Sequence, residues 1–106
     1  MARVLLSVPA TARAGEILEI RALIQHPMET GFRPGMNGEI LPRDIITHFS
    51  CRYNGEEVFS AELSPAIAAN PFIAFSTVAT TSGNLAFTWT GDGGFAQTEI
   101  RVLTVR

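Results

Sequence analysis

The sequence contains no lysine, a single cysteine and only two histidines among its 106 residues. All eight basic residues are arginines scattered along the chain, so there is no basic stripe that could follow a phosphate backbone. One cysteine, Cys51, excludes an internal disulfide. The longest apolar runs are a few residues, far short of the roughly 20 that a membrane-spanning helix needs. We therefore expect neither nucleic acid nor a membrane as partner.

Charged residues are also few, at 17% of the chain, against about 25% in typical soluble domains. A sparsely charged surface is typical of a protein that a partner partly covers. The 46% of hydrophobic residues is enough for an ordinary core without metal or disulfide support. We expect residues 1–106 to form one domain.

Alternation of apolar and polar residues, broken by turn residues, predicts strands and no convincing helix. Asn54-Gly55 is the strongest hairpin signal, because both central residues of a type I′ turn need positive φ. The sequence therefore predicts an all-β, seven-stranded antiparallel sandwich. Its strands are Arg3–Val8, Glu16–Gln25, Ile45–Tyr53, Glu56–Leu63, Phe72–Val78, Asn84–Thr90 and Phe95–Val105.

Two segments have sequences that folding alone does not explain. The stretch from His26 to Asp44 is rich in proline and glycine, and loops of this length in compact domains are often functional. It begins with the segment His26-Pro27-Met28-Glu29-Thr30-Gly31, which places an imidazole, a thioether and an acid beside a strand end. The second segment is Asn70-Pro71-Phe72, where proline restricts the entry to an aromatic strand. We predict partner contacts at both segments.

Groups that could converge for catalysis are scarce, so we predict no enzyme activity, no catalytic residue, no cofactor and no metal. No Gly-x-Ser-x-Gly elbow is present, and the Gly91–Gly94 loop lacks the lysine and following helix of a phosphate-binding loop. Cys51 alternates with Phe49 and Tyr53 on the predicted buried face, where a free cysteine behaves as a small hydrophobe. We expect its thiol to be unreactive.

Two alternatives remain open at this point. A metal- or small-ligand-binding sandwich would use His26, Met28 and His48, since thioether and imidazole ligands suit copper. A plain structural domain would instead self-associate, so a homo-oligomer of the isolated chain is a further possibility.

The motifs follow one order along the chain: His26–Gly31, Gly38–Pro42, Ile45-Ile46, Tyr53-Asn54-Gly55, Ala68–Phe72 with Phe75, and Trp89 before Gly91-Asp92. In order and spacing they resemble the SoxZ family of the bacterial sulfur-oxidising Sox system, over nearly the whole chain. The stretch Phe32–Met36 departs from the family, because it is more apolar than the polar, charged stretch at that place.

The resemblance implies an immunoglobulin-like (E-set) sandwich that pairs with SoxY, a protein that holds the pathway intermediate on a cysteine in a Gly-Gly-Cys-Gly-Gly arm. It implies transient contacts with the other Sox enzymes. It also implies a periplasmic location, reached together with the partner, since no export signal is recognisable in this sequence. No such arm is present here, so we expect the carrier cysteine to belong to the partner.

Overall fold

The computed structural model describes residues 2–106, and within that range it contains eight β-strands and one short 3₁₀ turn, Asp92–Gly94. All seven predicted strands are present, and a two-residue strand was not predicted. The strands are β1 (Val4–Ser7), β2 (Thr11–Ala12), β3 (Ile17–Ile24), β4 (Ile46–Tyr53), β5 (Glu56–Glu62), β6 (Phe72–Val78), β7 (Gly83–Gly91) and β8 (Ala96–Val105).

The strands form two sheets of unequal width. The small sheet has the order β1-β3-β6 and the large sheet has the order β2-β8-β7-β4-β5. All pairings are antiparallel except that of β2, which lies parallel to the end of β8 through Thr11 and Ala12. The predicted all-β sandwich is therefore confirmed. A two-residue strand leaves no alternation in the sequence, so β2 could not be anticipated.

Phe49 on β4 lies at the centre of the core between the two sheets. Its ring centroid is 5.1 Å from that of Trp89 and 6.1 Å from that of Phe75, which belongs to the small sheet. Phe59 stacks on Phe75 with centroids 4.4 Å apart. Aromatic pairs in these arrangements contribute about 0.5–1.5 kcal/mol each beyond the burial of their area.

The hairpin between β4 and β5 turns at Asn54-Gly55, as the sequence predicts. Asn54 has φ 49° and Gly55 has φ 83°, the positive values that a type I′ turn requires. Tyr53, just before the turn, fixes the segment after β6: its hydroxyl donates to the Thr81 carbonyl oxygen at 2.6 Å and accepts the Thr80 N–H at 3.0 Å. This hairpin is therefore tied to the connection that leads from the small sheet to the large one.

The 21 residues between Ile24 and Ile46 contain no strand, as the predicted long loop requires. Within residues 2–106, no helix is long and apolar enough to cross a bilayer.

Cys51 lies on the inner face of β4 with no exposed surface, which confirms its predicted position. Burial raises the pKa of its thiol to about 12. The thiolate is the nucleophile, so the thiol stays protonated and unreactive at neutral pH.

We predict that iodoacetamide at pH 8 modifies Cys51 at least about tenfold more slowly in the native protein than in urea-unfolded protein. Mass spectrometry of the alkylated product over time measures both rates. Equal rates would show that the thiol is accessible in the folded state.

Candidate partner-binding surface

The two segments singled out by sequence meet at one end of the sandwich. The His26 N–H donates to Asn70 Oδ1 at 2.9 Å, and the Asn70 N–H donates to the His26 carbonyl oxygen at 2.8 Å. Asn70 adopts a left-handed conformation with φ 55°, which asparagine tolerates better than most residues. The structure thus places the start of the long loop beside the entry to β6.

The side chains of His26 and Met28 are buried, with 6% and 4% of their surface exposed. The Met28 N–H donates to His26 Nδ1 at 3.0 Å, and Met28 Sδ accepts the Ile46 N–H at 3.3 Å. The His26 ring packs edge-on against Phe95 with centroids 5.3 Å apart. These two side chains therefore face the protein interior, and the predicted partner contact at His26 and Met28 stays a prediction. Met28 holds the loop onto β4 by accepting the Ile46 N–H, and His26 satisfies a backbone donor of the loop itself, because buried donors need acceptors.

These hydrogen bonds also bear on the metal-binding alternative. A backbone N–H can only donate, so His26 Nδ1 is an acceptor in use, and Met28 Sδ is occupied in the same way. His48 lies elsewhere, on the outer side of β4, where its Nδ1 is 2.9 Å from Glu62 Oε1. Residues 2–106 hold no group of three His, Cys, Asp or Glu side chains arranged for a metal ion. The structure does not bring the three proposed ligands together.

The remaining residues of the first segment begin a protruding turn, residues 29–44, which we call the finger. Glu29 and Asp44 exchange two backbone hydrogen bonds of 2.8 Å at its base. Thr30 Oγ1 accepts the Phe32 N–H at 3.3 Å. Gly31, at φ 88°, lies so close to the backbone of Arg43 that a Cβ atom would meet Arg43 Cα at 3.4 Å. Pro27, before the finger, is exposed.

The finger exposes large apolar side chains. Met36 is fully exposed, and Phe32 and Ile40 are 81% and 61% exposed. Glu29, one of the finger's three acidic residues, is neutralised by Arg33, whose Nη2 lies 2.6 Å from Glu29 Oε1. This ion pair lowers the pKa of Glu29. Exposed apolar groups in a small area indicate an interaction surface.

An ion pair fastens the end of the finger to the β7–β8 turn. Arg43 Nε and Nη2 each donate to an Asp92 carboxylate oxygen at 2.8 Å. Asp92 Oδ2 also accepts the Ile45 N–H at 3.2 Å. Hydrogen bonds from Arg43 hold the pKa of Asp92 below its usual value, with a further contribution from the Ile45 N–H. Gly91 permits this contact, because a Cβ there would lie 2.3 Å from the Ile45 carbonyl oxygen.

The second segment leads into an apolar patch on the outer face of the small sheet. Pro71 is buried, Asn70 is exposed, and Phe72 is 58% exposed. Phe72 is opposite Leu23 on β3, which is opposite Leu5 on β1. We call these three residues the Phe72 patch. It forms a shallow depression of about 300 Å³ that Ser7 and Arg21 complete.

Sequence reasoning identified Phe72 but missed Leu5, Leu23 and the Arg43–Asp92 pair. A signal for the patch exists, since β1 and β6 carry apolar residues at consecutive positions, which is typical of strands with two covered faces. No signal exists for the ion pair, whose members are 49 residues apart.

We predict that Asp92→Asn lowers the melting temperature by a few degrees at pH 7 and loosens the finger. The folded-state pKa of Asp92 is depressed from 3.8, so its stabilising effect is present above pH 3.8 and disappears as the pH falls through the lower folded value. Circular dichroism melts at several pH values and amide exchange over residues 29–44 measure both effects. Glu19→Gln, an exposed acid outside any ion pair, is the control. A variant–wild-type difference that persists unchanged into strong acid would contradict this role.

Comparison with solved structures identifies the same fold in other proteins. SoxY, described as the sulfur carrier protein from Chlorobium limicola f thiosulfatophilum, superposes with a TM-score of 0.67 at 15% identity, over 97% of this chain and 78% of that one. A superoxide reductase (neelaredoxin) from Ignicoccus hospitalis gives 0.76 at 14% identity, over 99% and 82%. A putative superoxide reductase from Thermotoga maritima gives 0.72 at 14%, over 97% and 85%. At such low identity these likenesses show the fold alone.

Among curated protein sequences, none matches this chain significantly. The family model described as "Sulphur oxidation protein SoxZ" matches residues 6–100. Since this match spans nearly the whole chain, and its residues include both the finger and the Phe72 segment, the chain belongs to the SoxZ family of sulphur oxidation proteins.

Proposed function

We propose that this chain is the non-catalytic subunit of a SoxYZ-type sulfur-carrier complex. It binds and stabilises a SoxY-like protein and helps to present that partner's cysteine-bound intermediate to the other Sox enzymes during the oxidation of thiosulfate or sulfur. The complex works in the periplasm, and this subunit is exported with its partner. The observation that carries the proposal is the SoxZ family match over residues 6–100.

The state of the only thiol supports a division of roles between two chains. Cys51 is wholly buried, and its pKa is raised to about 12. A cysteine that carries sulfur covalently must reach solvent and react as a thiolate. The carrier thiol therefore belongs to the partner, and this chain contributes binding surfaces.

The distribution of exposed apolar side chains supports partner binding. The finger and the Phe72 patch both expose large apolar residues, and the hydrogen bonds between His26 and Asn70 join their bases. A stable heterodimer buries at least ~1,200 Å² in total, so its contact has to extend beyond the three residues of the Phe72 patch. We assign the Phe72 patch to the carrier partner and the finger to the transient contacts with the enzymes.

We predict that co-expression with the SoxY-like protein of the same organism yields a stable 1:1 heterodimer. Size-exclusion chromatography with light scattering measures its mass and stoichiometry. The same experiment on this chain alone shows whether it self-associates without the partner. Separate elution of the two proteins after co-expression would refute the proposed function.

We predict that Phe72→Asp weakens the complex by about tenfold or more, because it places a charge in a desolvated apolar contact. Ile100→Asp is the matched control: Ile100 is 56% exposed, close to the 58% of Phe72, and lies on the large sheet. Titration calorimetry measures both affinities. Equal losses in the two variants, or a loss for Ile100→Asp alone, would move the interface away from the Phe72 patch.

A further inference from the structure

Strand β6 has hydrogen-bonding groups that point away from the molecule. It lies at the edge of the small sheet and pairs only with β3 within residues 2–106. The bond from the Ile24 N–H to the Pro71 carbonyl oxygen shows which alternate residues of β6 are hydrogen-bonded to β3. In an antiparallel pair alternate residues face the neighbouring strand, so the remaining ones face outward. The outward N–H and C=O groups belong to Phe72, Ala74, Ser76 and Val78.

The four edges of the two sheets differ in how they are protected. Natural proteins protect edges with charged residues, with short strands or with charges that point inward. Strand β5 carries three glutamates, and β1 has only four residues. At the fourth edge, β8 extends beyond the two-residue β2 and carries Glu99 and Arg101 on its inner face. Strand β6, Phe72–Val78, is seven residues long and contains no charge or proline. Among the sheet edges formed by residues 2–106, it is the one long edge without a feature that prevents strand addition.

Space is available beside β6 for an added strand. A cleft of about 450 Å³ opens between the C-terminal part of β6 and the β4–β5 hairpin. Thr77 and Val78 line it from the small sheet, and Tyr53 and Val58 line it from the large sheet, with Glu56 at its rim. An extended segment on β6 would direct alternate side chains into this cleft.

The charges of β5 argue against a second copy of this chain as the occupant. Strand β5 packs below β6, as the stacked rings of Phe59 and Phe75 show. Two copies joined through β6 would therefore bring Glu56, Glu57 and Glu62 of one copy toward the same residues of the other, which like-charge repulsion disfavours. An uncharged or basic strand from another protein meets no such repulsion.

We propose that β6 accepts an extended, uncharged or basic segment of the carrier partner as a fourth strand of the small sheet. This inference rests on the proposed function. It goes beyond it by naming the mode of recognition: backbone hydrogen bonds to Phe72, Ala74, Ser76 and Val78, with side chains of the added strand lying in the cleft toward Glu56.

The test replaces an outward backbone donor by proline. Ser76→Pro removes the Ser76 N–H and blocks strand addition, and it leaves the ladder to β3 intact, because proline is tolerated where an edge N–H faces solvent. Ser60→Pro is the matched control. The bond from the Leu63 N–H to the Thr47 carbonyl oxygen sets the phase of β5, so the Ser60 N–H also points outward, on the edge that the inference leaves unused.

We expect Ser76→Pro to weaken binding of the SoxY-like partner, measured by calorimetry, by about tenfold or more, and Ser60→Pro to change it less than about twofold. Unfolding curves of the free variants establish that both fold. Amide exchange of the wild-type complex gives a second readout that needs no variant. The amides of Ala74 and Ser76 should exchange at least about tenfold more slowly with partner bound, and the Ser60 amide should not change.

The failures of the two proposals differ. The strand-addition inference is overturned if the Ser76→Pro variant binds the partner as tightly as the wild type does. It is also overturned if the β6 amides gain no protection in the wild-type complex. Either result leaves the heterodimer standing. The absence of any wild-type complex overturns both.

Discussion

The contact of Phe49 with aromatic rings from both sheets is the interaction on which the rest of the structure depends. Phe49 is wholly buried, and its ring lies within about 6.5 Å of those of Phe59, Phe75, Phe87 and Trp89. Removal of such a ring costs about 3–5 kcal/mol, a large share of the 5–15 kcal/mol that stabilises a domain. Four of the five rings belong to the large sheet, and Phe75 is the small sheet's member of the cluster, beside the buried Leu18 and Ile20 of β3.

That asymmetry determines what the surface offers. Three strands cover five, and β6 lies above β5 because Phe75 stacks on Phe59. The edge of β6 and its outer face both stay open, while the loop that follows β3 has to return to β4 across the end of the sandwich. Met28 and His26 supply the buried acceptors for that return, and Asp92 fixes its end. The finger can therefore protrude from a firmly attached base.

The sequence predicts the strands well, because each is recorded locally by alternation and by turn residues such as Asn54-Gly55. It also predicts that Cys51 lies in the core, since Cys51 alternates with Phe49 and Tyr53 on its strand. It cannot predict that His26 and Met28 are buried. Their burial comes from hydrogen bonds that a loop makes in three dimensions, and a polar residue in a proline-rich segment gives no sign of them. The proximity of the two candidate segments is likewise a property of topology.

The proposed partner binding and the unreactive state of Cys51 are both consistent with the same arrangement. The core is filled by aromatic rings and by Cys51, so the residue that could perform sulfur chemistry is used for packing. The surface, by contrast, keeps apolar side chains in water at Phe32, Met36 and Phe72, where burial would release about 25 cal/mol for each Å². These exposed apolar side chains add nothing to the stability of the isolated chain. The proposed function accounts for them: a second protein carries the reactive group, and this one supplies the surfaces that hold and present it.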